Sequence, residues 1–126
     1  MKFLSSVVLT LLVGGLMAQK APQWKIDKSH TSANFIATHF FSEVPGSFDD
    51  FTGDFYINPD NIEESTMNFT VKVQSVNTKN EKRDKHLMSP DFFNAKEYTT
   101  MEFESTSFDK TGDNTYMLYG KLTIKD

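Results

Sequence analysis

Apolar and polar residues alternate along most of the chain after residue 22, and the alternation predicts β-strands joined by turns. Trp24 to Phe41 alternates loosely and runs into Val44-Pro45-Gly46-Ser47, a turn signal. Phe51, Gly53, Phe55 and Ile57 share one parity and therefore one strand face. Asn58-Pro59-Asp60-Asn61 then turns the chain. Ser65 to Val76 carries the clearest strand pattern, with Met67, Phe69, Val71 and Val73 alternating with Asn68, Thr70, Lys72 and Gln74. Met101 and Phe103 repeat it against Glu102 and Glu104 within Thr99 to Phe108. Thr111-Gly112-Asp113-Asn114 predicts a hairpin turn. The last strand follows from Thr115 to about Ile124, with Tyr116, Leu118, Gly120, Leu122 and Ile124 on one face.

The period changes between Val76 and Thr99. Thr78-Lys79-Asn80-Glu81 fits a capping box and predicts a short polar helix at about residues 79–88. Glu81 and Lys85 are four apart in the favourable order for an ion pair. Ser89-Pro90 offers a second cap, with a helical turn at about residues 90–94. A helix this charged cannot be a core helix. It is expected across one end of the β structure, with Leu87, Met88, Phe92 and Phe93 pointing in.

The first residues read differently. Met1-Lys2 precedes an apolar run from Val7 to Met17, and the first acidic residue is Asp27. This predicts a secretory signal peptide over residues 1–18, since the run is shorter than the ~20 residues a spanning helix needs. Residues 19–126 then form one domain. Some five or six strands are readable, whereas a closed up-and-down barrel needs about eight. A domain lacking its last strands is the expectation.

Composition narrows the function classes. The net charge of −4 argues against a nucleic-acid binder, which usually shows a basic stripe. With no cysteine there is no disulfide framework, thiolate metal site or thiol nucleophile. Phe supplies 12 of the 17 aromatic residues, which points to stacked rings in a core or an apolar cavity.

The chemistry-bearing residues are few. Phe35, Phe55, Ile57, Met67, Phe69, Val71, Val73, Phe92, Phe93, Met101, Phe103 and Leu122, with Ile124, are candidates for the wall of an apolar pore. From the residues alone, the same pattern favours a solid core. His30 and His39 have opposite parity and would diverge in one regular strand, and His86 lies on the polar helix, so no metal site is expected. His30, His39, Arg83 and His86 are candidates for a polar mouth that meets a ligand's head group. The alternative for Arg83-Asp84-Lys85-His86 is a helix pinned to the wall by hydrogen bonds and an ion pair. Asp27 near His30 suggests acid–base chemistry, but no Gly-x-Ser-x-Gly elbow accompanies it.

Four blocks in register carry a family resemblance. They are Trp24-Lys25-Ile26-Asp27-Lys28-Ser29-His30-Thr31 with Phe35 and His39, and Val44-Pro45-Gly46-Ser47-Phe48 with Phe51 and Gly53. Ser75-Val76-Asn77-Thr78 leads into Arg83-Asp84-Lys85-His86-Leu87 and Ser89-Pro90-Asp91-Phe92-Phe93, and Gly120-Lys121-Leu122-Thr123-Ile124 closes the set. Together they resemble the YceI-like family over residues 23–126, without its C-terminal third. Thr31 in place of the more frequent Ser, and Thr99 where Pro often follows the aromatic, are mild departures.

The resemblance implies an all-β, lipocalin-like antiparallel β-barrel around an apolar pore, in a secreted or periplasmic protein. It implies a carrier for polyisoprenoid or other long-chain lipid, with no catalysis and no cofactor. The expected partners are that lipid, a transiently contacted membrane and a second copy of the chain, but no nucleic acid. Two rival readings stand beside it: an enzyme using one of the histidines on such a lipid, and a structural β domain with a filled core.

Overall fold

A computed structural model of the protein describes residues 21–125. The expected signal peptide, residues 1–18, lies outside the described residues. Eight strands, one helix and two 3-10 turns follow in chain order. The strands are β1 (Gln23–Trp24), β2 (Ala33–His39), β3 (Ser42–Phe48), β4 (Phe51–Tyr56), β5 (Thr66–Lys72), β6 (Val76–Asn77), β7 (Thr100–Lys110) and β8 (Tyr116–Thr123). The helix α1 is Glu81–Leu87, and the 3-10 turns are Ile62–Glu64 and Val73–Ser75. Every strand pairing is antiparallel. One sheet has the order β1-β4-β5-β7-β8 and the other β2-β3-β6. The two sheets do not close into a barrel among the described residues.

Two of the expected strands are divided between the sheets. Trp24 to Phe41 breaks at Asp27, whose carboxylate accepts the Ser29 N–H (2.9 Å) and whose carbonyl accepts the His30 N–H (3.1 Å). This Asx-type turn ends the extended run and sends β1 and β2 to different sheets. Ser65 to Val76 breaks at Val73. The Ser75 hydroxyl donates to the Lys72 carbonyl (2.7 Å), and the chain turns through Val73–Ser75 into β6. That turn shifts the parity by one, so Val76 is buried instead of Ser75.

Val44-Pro45-Gly46-Ser47 is not a turn but the middle of β3; the reversal lies at Phe40, which has φ 55°. β6 borders β3 only at Ser47 and Phe48, so no strand lies on that side beside Pro45. An edge position of this kind tolerates a residue without an N–H. Gly46 faces Phe35 across the ladder, and the Phe35 ring lies over it. The hairpin at Thr111–Asn114 forms as expected, with the Thr111 N–H donating to the Thr115 carbonyl (2.9 Å).

β7 contains a bulge between Ser105 and Ser107. Met101 and Phe103 face inward before it, and Phe108 is buried after it on the opposite parity. The Ser105 hydroxyl accepts the Met67 N–H (2.8 Å) just past the last paired residues of β5 and β7.

The core gathers where the chain crosses between sheets. Phe48, Phe51, Val71, Val73, Val76, Ala95 and Met101 form its buried cluster, and Val73 is 1% exposed. The Asp49 N–H donates to the Ser75 carbonyl (3.1 Å) and the Lys72 N–H to the Asp50 carbonyl (2.9 Å). These bonds tie the β3–β4 crossing to the β5–β6 crossing.

Close approach makes Gly120 irreplaceable in a way that Gly46 is not. A Cβ on Gly120 would lie 2.4 Å from the Phe103 ring and 2.5 Å from the Glu104 carbonyl oxygen. At Gly46 the obstacle is the Phe35 ring alone, 2.3 Å away. A side chain can swing aside, whereas a paired backbone carbonyl cannot. Gly120→Ala is therefore expected to cost about 1–3 kcal/mol in urea unfolding, and Gly46→Ala less. Equal costs would contradict this account of the two contacts.

Candidate functional site

The inner face of the larger sheet is sealed at one end and open along the rest. Phe51, Val71 and Met101 are buried beside the crossing. Further along the same face, Phe55, Met67, Phe69 and Phe103 are only half-buried. The Phe69 ring lies 5.5 Å from that of Phe51 and 6.3 Å from that of Phe55, so three rings line the face in a row. Phe35 enters from the smaller sheet, 5.3 Å from Phe48. The result is an apolar strip, the trough, that begins at the core and runs outward along one face of the larger sheet.

The other expected pore residues are distributed unevenly. Val73 lies in the core, in a 3-10 turn and not in a strand. Ile57 follows the end of β4 and is half-buried. Phe93 packs against the core and lies 6.1 Å from Phe48. Phe92 turns outward, 46% exposed, with its ring edge-on to His86 at 4.9 Å. Leu122 is 63% exposed on β8, and Ile124 is exposed just beyond it.

The sealed end is closed by α1 and the turns after it, through Leu87, Met88, Phe93 and Ala95. The helix is shorter than expected, and its cap is Asn80 and not Thr78: the Asn80 side chain accepts the Arg83 N–H (3.0 Å). Thr78 is buried and serves another purpose. The Asp84 carboxylate accepts both its N–H (2.9 Å) and its hydroxyl proton. Arg83 Nε donates to the Thr78 hydroxyl (2.7 Å), and its Nη2 donates to the Thr78 carbonyl (2.7 Å). Thr78 is thus clasped by two consecutive helix side chains. The turn expected at 90–94 is present as a single i→i+3 turn that does not propagate into a helix. Phe92 and Asn94 both donate to the Ser89 carbonyl in a single hydrogen-bonded turn, and the Ser89 hydroxyl bonds back to the His86 carbonyl (2.6 Å).

The four residues expected at a polar mouth do not converge. His30 stands in the turn before β2, where its Nδ1 meets Asp27 Oδ2 at 2.7 Å. Because it lies in a turn, strand parity does not govern it. His39 ends β2 and packs edge-on against Phe40. Arg83 is bonded to Thr78, and His86 lies 3.5 Å from Asp91. Among the described residues, no hydrogen bond or ion pair joins any two of the four.

Two carboxylates are held below their ordinary range. For Asp27 the main cause is the His30 side chain, followed by the Ser29 N–H. For Asp49 it is the Asn77 amide (2.8 Å), then the Ser47 hydroxyl (2.7 Å).

The comparisons with known proteins rest on this same chain of elements. The sequence profile of the YceI-like domain matches residues 24–126. The chain belongs to the YceI-like family. A UPF0312 protein of Ectopseudomonas mendocina is 38% identical over 125 residues, which cover 96% of this chain and 64% of that protein. A UPF0312 protein of Photorhabdus laumondii is 35% identical over 128 residues, covering 96% and 66%. Among solved structures, BcnA of Burkholderia cenocepacia superposes with a TM-score of 0.77 at 24% identity, over 80% of this chain and 64% of that one. A YceI protein of Campylobacter jejuni gives 0.64 at 36% identity, over 81% and 60%. This YceI-like chain therefore spans about two thirds or less of the length of these four proteins. The shared fold is all-β and antiparallel with one helix.

The Thr78 clasp and the Asp49 bonds make separate predictions. Asp84→Ala strands the buried Thr78 hydroxyl and N–H, and should cost about 1–3 kcal/mol in denaturant unfolding. Arg83→Ala should cost less, because Asp84 still accepts from the Thr78 N–H and hydroxyl, and only the donors to the Thr78 carbonyl and hydroxyl oxygens are lost. A lowered carboxylate pKa stabilises the fold above the unfolded value of about 3.9, and that contribution is lost as pH falls through the folded value. Asp49→Asn should therefore lower stability at neutral pH and flatten its decline below about pH 4. A parallel decline in parent and variant would count against Asp49 as a source of acid sensitivity.

Proposed function

We propose that the trough lines the pore of a lipocalin-like antiparallel barrel that holds a polyisoprenoid or another long-chain apolar lipid. The protein is then a secreted or periplasmic carrier, with no catalysis of its own. One observation carries this reading: Phe55, Met67, Phe69 and Phe103 are aligned on an inward face yet only half-buried. A filled core would bury such side chains as fully as Val73. An apolar chain laid along them would gain roughly 25 cal/mol for each Å² removed from water. Phe and Met line such a surface without polar groups to desolvate.

Membership of the YceI-like family supports a binding role over a purely structural one. Loading and release entail transient contact with a membrane. The net charge of −4 gives no support to a nucleic-acid ligand. The separation of His30, His39 and His86 gives the rival enzyme reading no assembled acid–base pair of histidines.

Native mass spectrometry of the protein, followed by lipid extraction, tests the carrier reading. A stoichiometric long-chain lipid is the expected result. With added polyprenols, affinity should rise about tenfold for each five-carbon unit until the pore is full, at about 0.3 kcal/mol per heavy atom. An apo mass that takes up neither polyprenol nor fatty amide would remove the carrier reading.

A further inference from the structure

A second concavity lies outside the trough, beside α1. It is a cleft of 520 Å³, open to solvent on one side and mostly apolar in lining. Met88 and Ala95 supply carbon from the sealed end of the core, and Pro90 adds to it. Lys85 of α1 and Lys96 of the following turn, both exposed, also line it. Gln74, Ser89 and Asn94 complete the lining.

The two lysines are uncompensated. Among the described residues, neither has a carboxylate within ion-pairing distance, and the expected Glu81–Lys85 pair is not formed. Three of the acidic residues near them in sequence are engaged elsewhere. Asp84 holds Thr78, Asp91 faces His86, and Glu97 accepts from the Asn94 amide (2.9 Å). Two lysines without ion-pair partners beside a largely apolar cleft are complementary to an anion that carries an apolar tail, against a net chain charge of −4. The volume lies within the range of small-molecule sites, roughly 300–1,000 Å³, and is too small for a long polyisoprenoid.

We propose that this cleft is a second binding site, and that it takes a small amphiphile with one carboxylate and a medium-length alkyl chain. The tail lies on Met88, Pro90 and Ala95, and the carboxylate oxygens accept hydrogen bonds from Lys85 and Lys96. The site is separate from the trough and does not depend on what the trough binds.

Methyl NMR of the protein with sodium decanoate, 1-decanol and sodium acetate tests it. Decanoate should shift the Met88 and Ala95 methyl signals saturably. It should bind about tenfold tighter than decanol, and acetate should produce no saturable shift. The double variant K85Q/K96Q changes only exposed side chains, and circular dichroism checks its fold. It should bind decanoate about as weakly as the parent binds decanol. Shifts confined to the Met67 and Met101 methyls, equal affinity for decanoate and decanol, saturable binding of acetate alone, or unchanged binding by K85Q/K96Q would each overturn the proposal.

Discussion

The burial of Val73 at the double crossing is the constraint on which the rest of the structure depends. Two segments leave one sheet for the other side by side, the first between Phe48 and Phe51 and the second between Lys72 and Val76. Backbone bonds from Asp49 to Ser75 and from Lys72 to Asp50 hold them together, and the Lys72–Asp50 ion pair at 3.0 Å lies on the same contact. An exposed pair of that kind contributes little by itself. The larger effect is that two strands turn together around one fully buried side chain, so both sheets share a single core.

That arrangement explains why one end is dry and the other accessible. Apolar residues from both sheets converge at the crossing, and α1 with its following turns adds Leu87, Met88, Phe93 and Ala95 as a plug. Away from the crossing the inner face of the larger sheet has fewer partners, and Phe55, Phe69 and Phe103 stay half-buried. The same phenylalanine-rich pattern thus yields a core at one end and a half-buried apolar face at the other. The difference lies in what each residue meets across the interior, not in its hydrophobicity.

The polar residues around α1 divide in a similar way. Arg83, a natural candidate for a ligand's head group, turns back to Thr78 and joins Asp84 in fastening the helix. Lys85 on the charged helix and Lys96 in the turn beyond it draw little attention, yet both line a cleft without an ion-pair partner. A buried threonine with three polar groups to satisfy recruits its neighbours first. Charge available for binding is what remains after that demand is met.

The alternation of residues determined much of this protein by itself: an all-β chain, the inward faces of β4, β5 and β7, the β7–β8 hairpin and the presence of one polar helix. The four blocks from Trp24 to Ile124 placed it in its family. Tertiary structure decided where the long apparent strands break. Asp27 and Ser75 both act through local hydrogen bonds that alternation does not register, and a proline in β3 is tolerated because only β2 pairs with it and no strand lies on its other side. Tertiary structure also decided that the polar residues do not meet at one mouth, and that Phe92 faces His86. Periodicity reports which face of a strand is apolar. It carries no information about what lies opposite that face, because burial is set by contacts between segments distant in sequence.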